Sequence, residues 1–105
     1  MMTPEQYAAA LYTYRMMYPS SSVSGGRTGL HNKAIGGEPD SAHLYQLADD
    51  LVYDNPATYH NDRRYSDAAR LGLEIVYEQV PLHDHVQPRG WKEWISTQPQ
   101  PQRGA

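Results

Sequence analysis

Cysteine is absent from the 105-residue chain, so neither a disulfide framework nor a thiolate metal site can form. Any metal would have to be held by histidine and carboxylate. Phenylalanine is absent too. Aromatic bulk falls to nine tyrosines and two tryptophans, amphipathic rings whose polar ends need water or a partner. Such rings must fill part of the core and also suit the walls of a shallow polar groove. No apolar run is long enough to cross a bilayer. The start, Met1-Met2-Thr3-Pro4-Glu5, carries neither the basic region nor the apolar stretch of a secretory signal. A basic excess is also missing: the net charge is -3 and the pI about 5.9, which argues against nucleic acid as the main partner. With no cysteine and no Gly-x-Ser-x-Gly turn, a metal-independent nucleophile has little support.

What is present fits one small globular domain. Apolar residues make up 39% and charged residues 20%, while the mean hydropathy of -0.77 predicts a modest core. Thr3-Pro4-Glu5-Gln6 reads as a helix start with a capping box, and the helix runs to about Met17 before Pro19 stops it. Tyr7, Ala10, Leu11, Tyr14 and Met17 or Tyr18 give it one face to bury. The segment from Ser20 to Asp40 is rich in serine and glycine and reads as a long irregular loop, which in so small a domain points to function or disorder.

A strand is expected around Ala48 to Val52, ended by Asp54-Asn55-Pro56. Ser66-Asp67 is read as the cap of a short helix, Ala68 to Gly72, closed by the glycine. Leu73 to Gln79 alternates as a strand should, Val80-Pro81 breaks it, and Leu82 to Gln87 forms a second strand beside it. Trp91 to Ile95 is a candidate final helical turn. The expected organisation is a single α+β domain over residues 1–96, a small antiparallel sheet with flanking helices, followed by a Pro/Gln-rich tail over 97–105.

Five histidines prove nothing individually, but their arrangement is informative. His43 and Asp50 flank the start of the first long strand. His83 and His85 alternate with Asp84 on the last, so both imidazoles face one side and Asp84 the other. Histidines from separate segments plus one carboxylate make a catalytic type of zinc shell, with a fourth position left for water. His31 reads as a loop residue with Asn32, and His60 as a surface turn residue.

Three blocks carry a family resemblance: Ser24-Gly25-Gly26-Arg27-Thr28, then His31-Asn32 with Gly36-Gly37, then Ser41-Ala42-His43 with Ala48-Asp49-Asp50. Together they resemble the zinc D-alanyl-D-alanine peptidases, a family that includes phage L-alanyl-D-glutamate endopeptidases and shares its fold with the hedgehog signalling domain. Arg27, His43, Ala48 and Asp50 fall at the family's positions, while Gln46 stands where the family has glycine. Glu78 and His85-Val86-Gln87 resemble the family's closing acid and histidine.

The resemblance spans Ser24 to Gln87 and implies a hedgehog-like zinc fold, with Zn2+ held by His43, Asp50 and His85. His83 is implied as the neighbouring histidine and as the rival for the third ligand. Glu78 is implied as general base, Arg27 as the clamp on a substrate carboxylate or carbonyl, and His83 as a donor to the oxyanion. The implied substrate is the peptide part of bacterial peptidoglycan, cut by an endopeptidase or carboxypeptidase. The setting expected is phage-associated cell-wall lysis, in a virion or in the host cytoplasm with release to the wall, alongside other virion or lysis proteins. A non-catalytic zinc-binding virion or wall-binding module of the same fold is the alternative.

Overall fold

The computed structural model of the chain describes residues 2–23, 47–91, 93 and 97. The first helix, α1, spans Pro4–Met17 and begins as its sequence dictates. Thr3 Oγ1 accepts from the Gln6 amide at 3.1 Å, and Gln6 Oε1 accepts from the Thr3 amide at 2.8 Å, closing the capping box. α1 buries Tyr7, Leu11 and Tyr14, one side chain per turn. The buried face is narrower than expected, because Met17 is exposed and Tyr18 only half-buried.

Four strands form one antiparallel sheet in the order β1-β2-β4-β3. They are β1 (Ser20–Ser22), β2 (Asp49–Tyr53), β3 (Leu73–Gln79) and β4 (Leu82–Pro88). The fold is therefore α+β: among the described residues, two α-helices with a small antiparallel sheet. β3 and β4 make a hairpin around Val80-Pro81, whose peptide bond is cis. β4 returns between β2 and β3 and pairs with both.

Two expectations change. The serine-rich segment begins with a strand, since Ser20, Ser21 and Ser22 pair with Tyr53, Val52 and Leu51. The helix expected from Ala68 starts earlier: α2 spans Arg63–Arg70. Ser66 does not cap it, because its hydroxyl turns back onto the Arg63 carbonyl at 3.0 Å, while Asn61 Oδ1 accepts from the Arg63 amide at 3.2 Å. Gly72 does close this region, with φ of 79°, and a Cβ there would meet Met2 Cε at 3.0 Å. A 3-10 helix, Pro56–His60, capped by Asn55, fills the connection between β2 and α2. The final helical turn is seen at Trp91 and Glu93, and residues 98–105 lie outside the described residues.

The core joins Tyr7, Leu11 and Tyr14 of α1 to Leu51, Tyr53, Leu73 and Val86 of the sheet, with Ala68 of α2 and Tyr59. Tyrosine does serve as core material here, and each hydroxyl on the sheet side of α1 finds a partner. Tyr7 shares its proton between Asp49 Oδ2 (2.9 Å) and the Val86 carbonyl (3.2 Å). Tyr14 donates to Tyr53, which donates to Asp84 Oδ2 at 2.7 Å. Arg64 Nε donates to the same oxygen at 2.7 Å, and Arg64 reaches the other oxygen through a second nitrogen at 3.3 Å. Arg64 is 1% exposed and Asp84 0%. Burial works against the Arg64 charge, but the hydrogen bond and charge of Asp84 outweigh it and raise the guanidinium pKa above its ordinary value.

Removing one member of such a pair strands a buried charge. Asp84→Ala is expected to destabilise the fold by about 3–5 kcal/mol in denaturant unfolding, and replacing Arg64 and Asp84 together by Leu should cost less than either single change. A value near zero for Asp84→Ala would contradict the clamp. The hydroxyls make a second prediction. Burial, as the largest cause, pushes the pKa values of Tyr7, Tyr14 and Tyr53 above the ordinary tyrosine value. The folded state then keeps phenolic protons that the unfolded state gives up. Stability is full below about pH 10 and falls as the pH rises above it. The urea midpoint should therefore be flat from neutral pH to about pH 9 and drop beyond about pH 10, less steeply in Tyr53→Phe.

Candidate functional site

The pleat of the sheet sorts its side chains. Leu51, Tyr53, Leu73, Asp84 and Val86 face the helices. The alternate positions face the other way: Asp50 and Val52 of β2, His83, His85 and Gln87 of β4, and Glu74, Val76 and Glu78 of β3. In register, Asp50 and Val76 lie on either side of His85, Glu78 is opposite His83, and Glu74 is opposite Gln87.

At the centre, Asp50 Oδ1 accepts a hydrogen bond from His85 Nδ1 at 3.2 Å and lies 3.8 Å from His83 Nε2. These side chains are 15% (Asp50), 19% (His85) and 15% (His83) exposed, so the group is partly withdrawn from water while still reachable. The outward nitrogens are engaged as well. His85 Nε2 meets Gln87 Oε1 at 2.7 Å, and Gln87 Nε2 donates to Glu74 Oε1 at 2.6 Å. His83 Nδ1 meets the Pro81 carbonyl at 2.6 Å. A carbonyl only accepts, so His83 Nδ1 carries hydrogen.

Histidine and carboxylate are donor types that zinc accepts. Two ligand atoms of a tetrahedral zinc, each at roughly 2.0–2.2 Å, stand about 3.3–3.6 Å apart. The 3.2 Å between Asp50 Oδ1 and His85 Nδ1 is close to that edge, and the 3.8 Å to His83 Nε2 is longer. Among the described residues no three His, Cys, Asp or Glu side chains form a complete metal-holding group, so Asp50 and His85 stand as a pair that needs a further donor.

The remaining expected residues separate clearly. His43 and Arg27 lie outside the described residues, as do His31 and Gln46. Glu78 is exposed near the end of β3, on the histidine face and across from His83. Asp49, the neighbour of Asp50, turns to the helix side, where Tyr7 and Ser22 bind its carboxylate. Asp84 is buried against Arg64, on the side that alternation requires. His60 is exposed at the end of the 3-10 helix. Gln87 and Glu74 were not singled out by the sequence as contacts of His85. Only the cross-strand register brings Glu74 beside Gln87, although the i, i+2 spacing of His85 and Gln87 already sets both on one face.

Comparisons with protein-family models, with curated proteins and with solved structures find no match for the chain. Among the described residues no helix is long and apolar enough to cross a membrane.

The two adjacent aspartates should therefore behave oppositely. Asp49→Asn is expected to cost about 1–2 kcal/mol of stability and to leave divalent-metal binding unchanged. Asp50→Asn should keep the stability within about 0.5 kcal/mol and lose metal binding, as read by calorimetric Zn2+ titration beside urea unfolding. Equal effects of both changes on Zn2+ binding would contradict the assignment.

Proposed function

We propose that the chain is a zinc-dependent peptidase that hydrolyses peptide bonds of bacterial peptidoglycan, acting as an endopeptidase or D-Ala-D-Ala carboxypeptidase in phage-associated cell-wall lysis. The observation that carries the metal part is the approach of Asp50 Oδ1 and His85 Nδ1 to 3.2 Å across two paired strands. The substrate part rests on the resemblance of the segment from Ser24 to Gln87.

In this reading His43, Asp50 and His85 hold the zinc. A zinc ion in such a site supplies Lewis acidity, lowering the pKa of water to about 7 and polarising the scissile carbonyl. Glu78, on the same face of the sheet, would take the proton of the attacking water and deliver it to the departing amine. His83 has Nδ1–H committed to the Pro81 carbonyl, so its protonated form would present Nε2–H to the developing oxyanion. Arg27 would grip a substrate carboxylate or carbonyl with the two-pronged geometry that lysine lacks. Val76, opposite His85 and 44% exposed, would give the peptide an apolar surface to lie against. Other virion or lysis proteins are the partners proposed for delivery to the wall.

The test combines Zn2+ titration with release of new amines from purified peptidoglycan. His43→Ala is expected to lose both zinc and activity. Glu78→Gln should keep zinc and lose activity by about 10²–10⁴-fold. A wild-type chain that binds no zinc, or a His43→Ala variant as active as wild type, overturns the proposal. Zinc bound without amine release would favour the non-catalytic module instead.

A further inference from the structure

β3 stands at one end of the sheet and pairs with β4 alone, so its seven residues leave one backbone edge open. Two hydrogen bonds show which groups lie on that edge. Arg89 N donates to the Gly72 carbonyl at 2.9 Å, and Val23 N donates to the Asp50 carbonyl at 2.9 Å. In an antiparallel ladder a residue turns its N–H and C=O to one side, and the next residue turns its own to the other. The Val23 bond commits Asp50 to β1, so Asp49 and Leu51 bond Val86 and Asp84, which leaves His83, His85 and Gln87 for β3. The Arg89 bond gives the same phase: Glu74, Val76 and Glu78 are bonded inward. Leu73, Ile75, Tyr77 and Gln79 therefore point their backbone groups outward, and among the described residues no other backbone bond reaches them. A strand edge of this kind, rich in β-forming residues, is a template for another strand and is ordinarily guarded by charge. Here the charges are Glu74 and Glu78, which flank the 44% exposed Val76 on the histidine face. Gln87 Nε2 donates to Glu74 Oε1 and so holds that carboxylate in place.

We propose that the outer edge of β3 is a docking site for an extended, basic polypeptide segment. The segment adds to the sheet antiparallel to β3, with Lys or Arg opposite Glu74 and Glu78 and an apolar residue opposite Val76. The outward groups of Leu73, Ile75, Tyr77 and Gln79 supply the main-chain ladder, and the three side chains between them supply the selection. Because Glu74, Val76 and Glu78 are bonded inward to β4, the residues facing them across the new ladder form its non-hydrogen-bonded pairs. Those are the pairs of closest approach, with Cα atoms about 4.5 Å apart. Charge is thus read at the tightest positions, and the sequence required is basic, any, apolar, any, basic. A second copy of the chain does not fit this pattern. Two β3 strands paired over their full length would centre on Val76 and set the Glu74 of each copy against the Glu78 of the other. β1, at the opposite edge, has three serines and offers neither the length nor the charge. The inference does not rest on the zinc reading, since it uses the charge of Glu78 and needs no metal.

The experiment uses the full chain, nitrogen-labelled and without added metal, and three capped peptides. The probe is Thr-Lys-Thr-Val-Thr-Lys-Thr, its acidic counterpart has Glu for both Lys, and the third has the same residues as the probe with the two Lys adjacent. Amide hydrogen exchange reports strand addition, which charge attraction alone would not change. At about 90% saturation with the probe, exchange of the Leu73, Ile75, Tyr77 and Gln79 amides is expected to slow about tenfold, because only the free fraction exchanges. The acidic peptide should give no slowing, and the adjacent-Lys peptide should bind at least about threefold more weakly than the probe. Glu78→Lys, a change at an exposed position, should weaken the probe about 3–10-fold. Glu74→Lys with Glu78→Lys should reverse the preference, so that the acidic peptide now slows the outward amides. Should the double variant fail to fold, Glu78→Lys carries the charge test alone. No slowing at millimolar probe, equal binding of either control peptide, or unchanged affinity in Glu78→Lys overturns the proposal. Outward amides already slow without peptide, and faster on dilution, would assign the edge to a second copy and overturn it as well.

Discussion

Asp84 lies on β4 between His83 and His85, and its carboxylate is gripped on the helix side of the sheet by two nitrogens of Arg64 and by the Tyr53 hydroxyl. Side chains on a strand alternate, so a carboxylate held on one side commits both neighbouring histidines to the other. A slip of one residue in β4 would carry the histidines into the core and Asp84 out of it, leaving Arg64 buried without its partner. The buried ion pair therefore does more than satisfy two charges. It sets which face of the sheet carries Asp50, His83 and His85.

The order of the strands completes the arrangement. β4 inserts between β2 and β3, so the histidine pair receives Asp50 from one neighbour and Glu74, Val76 and Glu78 from the other. The β3–β4 hairpin and the distant strand β2 thus meet on a single surface, built on paired strands rather than on loops. The tyrosine hydroxyls tie this sheet to α1. Tyr7 holds Asp49 and the backbone at Val86, and Tyr14 continues the chain from Tyr53 to Asp84. Each of the two carboxylates bound on the helix side, Asp49 and Asp84, adjoins a candidate site residue, so the packing of α1 bears directly on the geometry across the sheet.

Much of this architecture is legible in the sequence. The capping box at Thr3, the alternation of Leu73 to Gln79 and the break at Val80-Pro81 are local signals, and the structure follows them. What escaped depends on distant partners. β1 consists of three serines and has no apolar pattern, being a strand only because β2 offers it an edge. α2 begins at Arg63 because Arg64 is drawn inward by a carboxylate on another element, which a rule that leaves charges outside does not foresee. For the site, the common side of His83 and His85 follows from alternation alone. The approach of Asp50 to His85 is a matter of β2–β4 register, and the Gln87–Glu74 hydrogen bond is a matter of β3–β4 register. Neither register is written in any single segment.

The proposed function requires a divalent cation between Asp50 and His85, on the face of the sheet opposite Asp84. A crystal structure of the full chain grown with Zn2+, with the ion located by its anomalous signal, tests it most directly. The account predicts zinc bonded to Asp50 Oδ1 and His85 Nδ1 at about 2.0–2.2 Å, with His85 Nε2 still bound to Gln87. Zinc elsewhere on the chain, or Asp50 and His85 keeping their 3.2 Å hydrogen bond in the zinc-grown crystal with no ion bonded to either, would contradict it.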